Sequence, residues 1–540
     1  MLRRLGQAAA ISALGSPFYC AAPETPALRP RFGAIVGEPA GALVGEKVLA
    51  EGGNAVDAAV AAALTSCVVT PARCGIGGYG GHMIIALAGG KKITSLDFNT
   101  MAPAAARPDM YPLDAKGEVK GRVNVHGWLS AGVPGTLAGL QLALDRYGTR
   151  SFRELVRPAI AAAQKGFVIE PAFANSIRGA AARFRKDPGS AKLYLSNSQP
   201  RQAGEILRNP DLAKLLSTLA DRNSVEPFYR GDLAQRIAEA YQKNGGLVTV
   251  NDLAAYHARE VAPLDFKWND FAIFTAPLTA GGLTILEAFS ILKALNWGAE
   301  PSAPASTHAQ LETLRLAWKD RLELLGDPEK VAVPVARLLS ADYARELAAK
   351  VEKSVKAKSP LSIHIRKHLD EGTNNICCAD QKGNLVAVTL TQGGTFGAQV
   401  TVDGLGLTLG HGMSRFDPHP EHPNAPGPGK RPLHNMCPSI VLRDGKPVLA
   451  IGAAGGVKIP NSVLEVLANH LVRRLPLAEA VLAPRSQCAG TLDVAVEPGF
   501  PDSETDYLKR IGFKVYNGES ARVSAVSFDP DSGDCRTAMR

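Results

Sequence analysis

The stretch that decides the fold runs from Gly372 to Phe396 and reads GTNNICCADQKGNLVAVTLTQGGTF. Two apolar runs, Asn375–Asp380 and Leu385–Thr391, flank a short turn that contains a glycine. This pattern predicts a β-hairpin. The chain is therefore expected to be organised around a hairpin whose first strand begins just after Gly372.

Thr373 stands directly before the first predicted strand and follows a glycine. A threonine hydroxyl is a weak nucleophile unless a base lies beside it. The α-amine of the same threonine becomes that base if the preceding peptide bond is cleaved. A free α-amine titrates at about 7.7–8.0, close to the range that suits a general base. Thr373 is therefore a candidate N-terminal nucleophile.

The same stretch resembles the processing site of the gamma-glutamyltranspeptidase family of N-terminal-nucleophile hydrolases. In that family a threonine opens a strand, a D-x-x-G-N turn follows, and the motifs V-A-V-T-x-T and T-F-G come next. The corresponding residues here are Asp380, Gly383-Asn384, Val386–Thr391 and Thr395–Gly397. Other glycine motifs keep the family's order, so the resemblance covers nearly all of residues 33–540.

The resemblance implies autoproteolysis between Gly372 and Thr373, followed by amide hydrolysis or acyl transfer. Cleavage would leave a large subunit, residues 23–372, and a small subunit, residues 373–540, folded together as one domain. A small-molecule amide is the expected substrate, and no cofactor is expected. The oligomeric state is left open, a dimer of processed heterodimers being one candidate.

The resemblance also implies roles for residues beyond the hairpin's first strand. Thr391 matches a threonine whose hydroxyl bonds the nucleophile. A second predicted hairpin turns at Asp444-Gly445 and leads into glycines before a helix from about Lys458 to Val472. Glycines at such a place free backbone N–H groups for an oxyanion. The family's oxyanion donors correspond to Gly455 and Gly456.

Two hairpin-rich β-layers with helices outside them place the chain in the α/β class, as a four-layer α/β/β/α sandwich of the N-terminal-nucleophile hydrolase type. The composition is that of an ordinary globular protein, with 46% hydrophobic and 21% charged residues, which argues against a disordered chain. The net charge of +9 comes from scattered Lys and Arg without interleaved aromatics. Nucleic acid is therefore not an expected partner.

Substrate recognition is where this sequence departs from the family's glutamate-binding pattern. The arginine that holds the substrate α-carboxylate corresponds to Asn99, and the asparagine after the V-T-x-T strand corresponds to Gly393. A glutamine and an aspartate of the next loop correspond to Gly412 and Arg415. Two consecutive serines correspond to His434-Asn435. Asn99, Arg415 and His434-Asn435 are therefore the predicted substrate-binding residues.

Arg415 stands where the family's aspartate binds the γ-glutamyl amino group. Two like charges 4 Å apart cost on the order of 4 kcal/mol at an effective dielectric constant of 20. The sequence therefore favours an amide whose acyl group is acidic but lacks a free α-amine, as in the family's acylase and oxamate-amidohydrolase offshoots. A genuine gamma-glutamyltranspeptidase or glutathione hydrolase is the first alternative, and a catalytically inert binding homologue is the second.

A metallohydrolase is a further class, which rests on four histidines. Zinc-binding pairs usually lie on a helix at i and i+4, whereas these histidines belong to a Pro-rich loop and its surroundings. No metal is therefore expected. The four residues are His411, His419, His422 and His434.

Residues 1–22 have the shape of a secretory signal peptide, with Arg3 and Arg4, a modest apolar stretch and small residues before Pro23. This predicts a periplasmic or secreted protein, with a cytoplasmic location as the alternative. No later run approaches the roughly 20 apolar residues that a membrane-spanning helix needs.

Overall fold

The computed structural model describes residues 32–297, 304–363, 365 and 372–540. The predicted signal peptide, residues 1–22, lies outside the described residues. The localisation that depends on it stays a prediction. In the described part of the chain, no helix is both long enough and apolar enough to cross a membrane.

The predicted hairpin lies in the middle of a first sheet. Its strands pair antiparallel, with Asn374 opposite Leu390. The Asp380 carboxylate closes the turn by accepting hydrogen bonds from the backbone N–H groups of Lys382 at 2.9 Å and Asn384 at 3.0 Å. The six antiparallel strands of this sheet are, in spatial order, Gly33–Val36, Asn374–Asp380, Leu385–Thr391, Gly80–Ala86, Ile93–Asp97 and Arg259–Val261.

The second predicted hairpin lies in a second six-stranded antiparallel sheet. Asp444 and Gly445 connect its strands with φ angles of +48° and +79°, as the common two-residue hairpin turn requires. The strands are, in spatial order, Cys535–Met539, Arg522–Phe528, Lys446–Ala454, Ser439–Arg443, Phe271–Thr275 and Leu264–Trp268. Each sheet therefore contains strands from both sides of Gly372.

The two sheets face each other across a layer of small and aliphatic side chains. Alternate residues of a strand point to opposite faces. Ile376 and Cys378 accordingly pack toward the helices that cover the first sheet, whereas Cys377 and Ala379 pack toward the second sheet. The predicted α/β/β/α sandwich is confirmed.

The helix Ala55–Val69 covers the first sheet and is buried along almost its whole length. Asn54 and Asp57 form a capping box at its start, in which each side chain accepts a hydrogen bond from the other residue's backbone N–H. The Ala55 N–H donates to the Asp380 carboxylate at 3.0 Å, which ties the helix to the hairpin turn. Further helices on this side are Pro39–Ala50, Thr136–Tyr147, Arg157–Lys165, Pro210–Arg222 and Asp232–Lys243.

The second sheet is covered by helices from both predicted subunits. The helix expected after the glycines begins as a 3₁₀ turn, Gly456–Lys458, continues as Ile459–Leu467 and ends in a π-helical turn, Ala468–Val472. The other helices on this side are Gly282–Ala294, Pro304–Leu324 and Ala341–Ala357.

Candidate active site

Gly372 and Thr373 lie immediately before the hairpin's first strand. The Thr373 hydroxyl donates a hydrogen bond to the Gly372 carbonyl oxygen at 2.7 Å. The Thr391 hydroxyl donates to the same oxygen. Thr373 is 6% exposed and Thr391 is 2% exposed, so bulk water is largely excluded. The two predicted catalytic threonines therefore meet at the carbonyl of the predicted cleavage site.

The Thr391 hydroxyl is oriented by Gly393, two residues later in the chain. The backbone N–H of Gly393 donates to Thr391 Oγ1 at 2.8 Å, which leaves the hydroxyl hydrogen free to point at Gly372. Gly372 itself has a φ of +97°, and a β-carbon there would lie 3.0 Å from the Gly394 carbonyl carbon. Glycine is favoured at this position because any β-carbon would strain the backbone at this positive φ and would crowd the Gly394 carbonyl group.

Gly455 and Gly456, the predicted oxyanion donors, follow the strand Lys446–Ala454. This strand crosses the hairpin closely, since a β-carbon on Gly452 would overlap the side-chain amide of Asn375. Asn375 lies on the same face of its strand as Thr373, because side chains two residues apart share a face. Gly456 begins a helical turn, and the first N–H groups of such a turn have no acceptor within it. The oxyanion role of the two glycines stays a prediction.

The position of the family's asparagine, Gly393, has a φ of +98°. A β-carbon there would overlap the Cδ2 and Nε2 atoms of His411, so the His411 imidazole occupies the space of the missing side chain. His411 Nδ1 lies 2.9 Å from the Val125 carbonyl oxygen. Burial is the main cause that lowers the pKa of His411, to about 4. His411 therefore presents a neutral imidazole beside Gly393.

Arg415 is 4% exposed and ends the 3₁₀ turn Gly412–Arg415. A second buried guanidinium, Arg321 of the helix Pro304–Leu324, lies near it. Burial first, and then the charge of Arg415, lowers the pKa of Arg321 to about 9. Arg321 donates to the backbone carbonyls of His434 at 2.6 Å and Ala280 at 3.5 Å. Two cationic groups therefore share this interior.

Sequence reasoning missed Arg321 as a member of the site. It is one arginine on a helix that also carries Lys319 and Glu323, and those two form an exposed i, i+4 ion pair. No local pattern distinguishes the buried arginine from its exposed neighbours. A signal could have come only from its position one turn before the Leu325–Pro328 turn, which ends the helix.

His434 belongs to a buried row of side chains. Its Nδ1 accepts a hydrogen bond from the Met436 N–H at 3.3 Å, so its Nε2 carries the hydrogen and donates to His82 Nδ1 at 3.0 Å. His82 Nε2 then faces Asp97 Oδ1 at 3.5 Å. Burial lowers the pKa of both imidazoles, which are therefore neutral. Because both His434 nitrogens have protein partners, a substrate would meet its ring or its backbone rather than a ring nitrogen.

Asn435 and Asn99 are also buried, at 2% and 0% exposure. The Asn99 amide nitrogen donates to Thr279 Oγ1 and to the Pro432 carbonyl oxygen, both at 2.7 Å. Among the residues that the structure describes, the Asn99 Oδ1 and Asn435 Nδ2 atoms form no hydrogen bond. Each asparagine thus retains one polar atom that could meet a ligand. Asn99 carries no charge, unlike the arginine to which it corresponds in the family pattern.

The four histidines of the metal alternative have different partners. In the described ranges, no group of three or more His, Cys, Asp or Glu residues is placed to hold a metal ion. His419 Nδ1 lies 2.7 Å from Asp417 Oδ1, and His422 Nε2 lies 2.6 Å from the Leu322 carbonyl oxygen. As described above, His411 Nδ1 faces the Val125 carbonyl oxygen, and His434 Nε2 faces His82.

Comparison with known proteins agrees with the resemblance seen in the sequence. The gamma-glutamyltranspeptidase family model matches residues 41–539. The glutathione hydrolase proenzyme of Escherichia coli K12 is 35% identical over 508 residues, which cover 90% of this chain and 86% of the relative. The acylase ACY 1 proenzyme of Pseudomonas sp. strain V22 is 33% identical over 515 residues, covering 94% and 91%.

Solved structures of the same family share the fold. A cephalosporin acylase from Bacillus halodurans superposes with a TM-score of 0.87 at 26% identity, covering 98% of this chain and 97% of that chain. The gamma-glutamyltranspeptidase of Helicobacter pylori superposes with a TM-score of 0.55 at 34% identity, covering 58% of this chain and 90% of that chain. The chain therefore belongs to the gamma-glutamyltranspeptidase family and is an enzyme of the N-terminal-nucleophile type.

Proposed function

We propose that this enzyme processes itself between Gly372 and Thr373 and then hydrolyses or transfers a small acidic acyl group through an ester on Thr373. The observation that carries the proposal is the convergence of the Thr373 and Thr391 hydroxyl groups on the Gly372 carbonyl oxygen. Hydrogen-bond donors placed where negative charge develops are among the largest contributions to acyl-transfer catalysis.

In the precursor, Thr373 Oγ1 attacks the Gly372 carbonyl carbon while Thr391 donates to the oxygen that becomes negative. The C–N bond breaks, the hydroxyl proton goes to the departing Thr373 nitrogen, and an ester joins Gly372 to Thr373 Oγ1. Water then hydrolyses this ester. The products are a carboxylate on Gly372 and a free α-amine on Thr373, which is the base that the mature nucleophile needs.

In the mature enzyme, the Thr373 amine takes the hydroxyl proton as Oγ1 attacks the substrate amide. Gly455 and Gly456 are proposed to donate backbone N–H groups to the tetrahedral oxyanion. The leaving amine receives the proton, and the acyl group remains on Thr373 Oγ1 as an ester. Water or a second amine then resolves the acyl-enzyme.

The substrate proposal rests on the two buried guanidinium groups. A free α-amine held beside Arg415 and Arg321 would meet like charge, at a cost on the order of 4 kcal/mol for one pair 4 Å apart. A carboxylate in the same place would be attracted by both arginines. An acyl group that is acidic and lacks a free α-amine therefore suits the site. The acylases among the similar proteins support an acyl group of this kind.

The experiment compares two chromogenic amides on purified protein. Mass spectrometry first checks for cleavage between residues 372 and 373. The glutaryl and γ-glutamyl p-nitroanilides are then compared by kcat/KM. The glutaryl amide should be favoured by about tenfold or more, because a like-charge penalty of about 1.4 kcal/mol or more on the γ-glutamyl amine corresponds to at least that factor. Thr373→Ala should abolish both cleavage and turnover. Preference for the γ-glutamyl amide would favour the glutathione hydrolase alternative, and cleavage without any turnover would favour the inert binding homologue.

A further inference from the structure

We propose that His411 contacts the acyl group of the substrate and accepts a hydrogen bond from a neutral donor on it, a hydroxyl or an amide N–H. The proposal rests on the proposed function and narrows its substrate class. The acyl group would then carry a carboxylate for the arginines and an O–H or N–H for His411, as in a 2-hydroxy or 2-acylamino dicarboxylic mono-amide.

The first step is the position of His411 next to the cleavage site. The imidazole edge formed by Cδ2 and Nε2 occupies the place of a side chain at Gly393. The Gly393 N–H donates to Thr391, which holds the reacting carbonyl, and the Gly393 carbonyl oxygen lies 3.3 Å from where a Gly372 β-carbon would be. Gly393 thus packs against both His411 and Gly372, which places the imidazole close to the cleavage site.

The second step is the hydrogen-bonding state of the ring. A carbonyl oxygen can only accept, so His411 Nδ1 carries the hydrogen and donates to Val125 at 2.9 Å. The neutral ring then has an acceptor lone pair on Nε2. His411 is 6% exposed, and in the part of the chain that the structure describes its Nε2 forms no hydrogen bond. Buried acceptors rarely stay unpaired in folded proteins, so this lone pair is available to a donor on a ligand.

The third step selects the kind of donor. The guanidinium charges of Arg415 and Arg122 add to burial in lowering the pKa of His411, so positive charge lies near this ring. An ammonium donor beside Nε2 would meet their repulsion. A carboxylate has no hydrogen to give. A neutral hydroxyl or amide N–H satisfies Nε2, while the carboxylate of the same acyl group is left for the arginines.

The test uses the 5-p-nitroanilides of glutarate and 2-hydroxyglutarate, which differ by one hydroxyl. Wild type should have a KM about tenfold lower for the hydroxylated amide, as expected for one buried hydrogen bond. His411→Gln keeps an acceptor and should retain most of the preference. His411→Phe has no acceptor and should lose the preference, so that the ratio of the two KM values falls to about one. An undiminished preference in His411→Phe would overturn the proposal.

A matched control is His470→Phe. His470 also has a ring nitrogen facing a backbone carbonyl, that of Leu475 at 2.8 Å, but it belongs to the π-helical turn Ala468–Val472. This variant should keep the wild-type preference. A purely structural role of His411 would raise KM for both amides equally in His411→Phe, and that result would also overturn the proposal.

A binding measurement keeps the inference separable from the proposed function. If wild type hydrolyses neither amide, the proposed function fails, and calorimetric titration with free 2-hydroxyglutarate and glutarate then decides the inference. Tighter binding of the hydroxy acid, lost in His411→Phe, supports it, and equal binding overturns it. If His411→Phe does not fold, the ¹⁵N resonance of His411 Nε2 in wild type should move on adding 2-hydroxyglutarate but not glutarate. An unchanged resonance refutes the contact.

Discussion

Replacing Thr391 by valine should slow autocleavage far more than it destabilises the fold. Valine keeps the shape of threonine but has no hydroxyl. It therefore loses both the bond to the Gly372 carbonyl oxygen and the bond from the Gly393 N–H. Thr391 is 2% exposed, so water has little room to take over either bond.

The magnitude follows from the role of each hydroxyl. Thr373 Oγ1 becomes the attacking atom, so its hydrogen cannot stay on the Gly372 oxygen during attack. Thr391 is then the side-chain donor that remains on this oxygen. Removal of one oxyanion donor costs about 10²–10³ in rate. The orphaned Gly393 N–H should lower the free energy of unfolding by about 1–3 kcal/mol.

The assay follows the freshly purified precursor on a denaturing gel. Cleavage releases residues 373–540, a little under a third of the 56.9 kDa chain. Thr391→Ser keeps the hydroxyl and should cleave within about tenfold of wild type, since a hydroxyl donor is retained. Thr389→Val is the stability control. Thr389 lies on the same strand as Thr391, but its hydroxyl donates to Asn375 Oδ1 at 2.6 Å and not to Gly372. Equal cleavage rates for Thr391→Val and Thr389→Val would refute the reasoning.

Three further outcomes are expected. Gly452→Ala should lower the melting temperature and slow cleavage because its β-carbon would wedge the two sheets apart, whereas Gly179→Ala, on a helix with nothing within 4 Å, should be neutral or stabilising by calorimetry. Arg321→Met should raise KM for glutaryl p-nitroanilide by about tenfold or more compared with Arg321→Lys, because a charge-assisted contact is lost; equal KM values would exclude an electrostatic role. Burial raises the pKa of Glu465 from 4.5 to about 7, so the folded protein holds a proton that the unfolded chain has released, and stability should fall as pH rises from about 4.5 to 7. Glu465→Gln should flatten that fall in melting temperature, and an unchanged pH dependence would contradict it.

The features that the sequence predicted well are encoded locally. The alternation of residues 375–380 and 385–391 around a Gly-Asn turn specifies the hairpin, and the observed strand starts only one residue earlier because Asn374 also pairs with Leu390. The Asp444-Gly445 turn is found at the predicted place. Thr373 directly precedes the first strand of this hairpin and Thr391 ends the second strand, so both hydroxyl groups reach the Gly372 carbonyl oxygen, and their catalytic roles stay predictions.

The features that the sequence could not supply are contacts between distant segments. His434 bonds His82, which lies 352 residues away, and this contact uses the ring nitrogen that a substrate would otherwise meet. Arg321 lies near Arg415, and it belongs to a helix on which buried charged residues, such as Arg315 and Asp320, alternate with exposed ones, such as Lys319 and Glu323. Neither contact has a pattern in the local sequence, because burial of a single polar side chain is decided by what the rest of the fold packs around it.

Gly393 shows why comparing aligned positions misjudges a pocket. Taken alone, a glycine in place of an asparagine removes a polar side chain from beside Thr391. In the folded chain the vacated space holds the imidazole of His411, which enters from the next loop and brings an acceptor nitrogen with it. Glycine at 393 is then a requirement rather than a loss, because any β-carbon there would collide with that ring. Gly393 and His411 must therefore be interpreted together, because the absence of a side chain at one position is what makes room for the ring at the other.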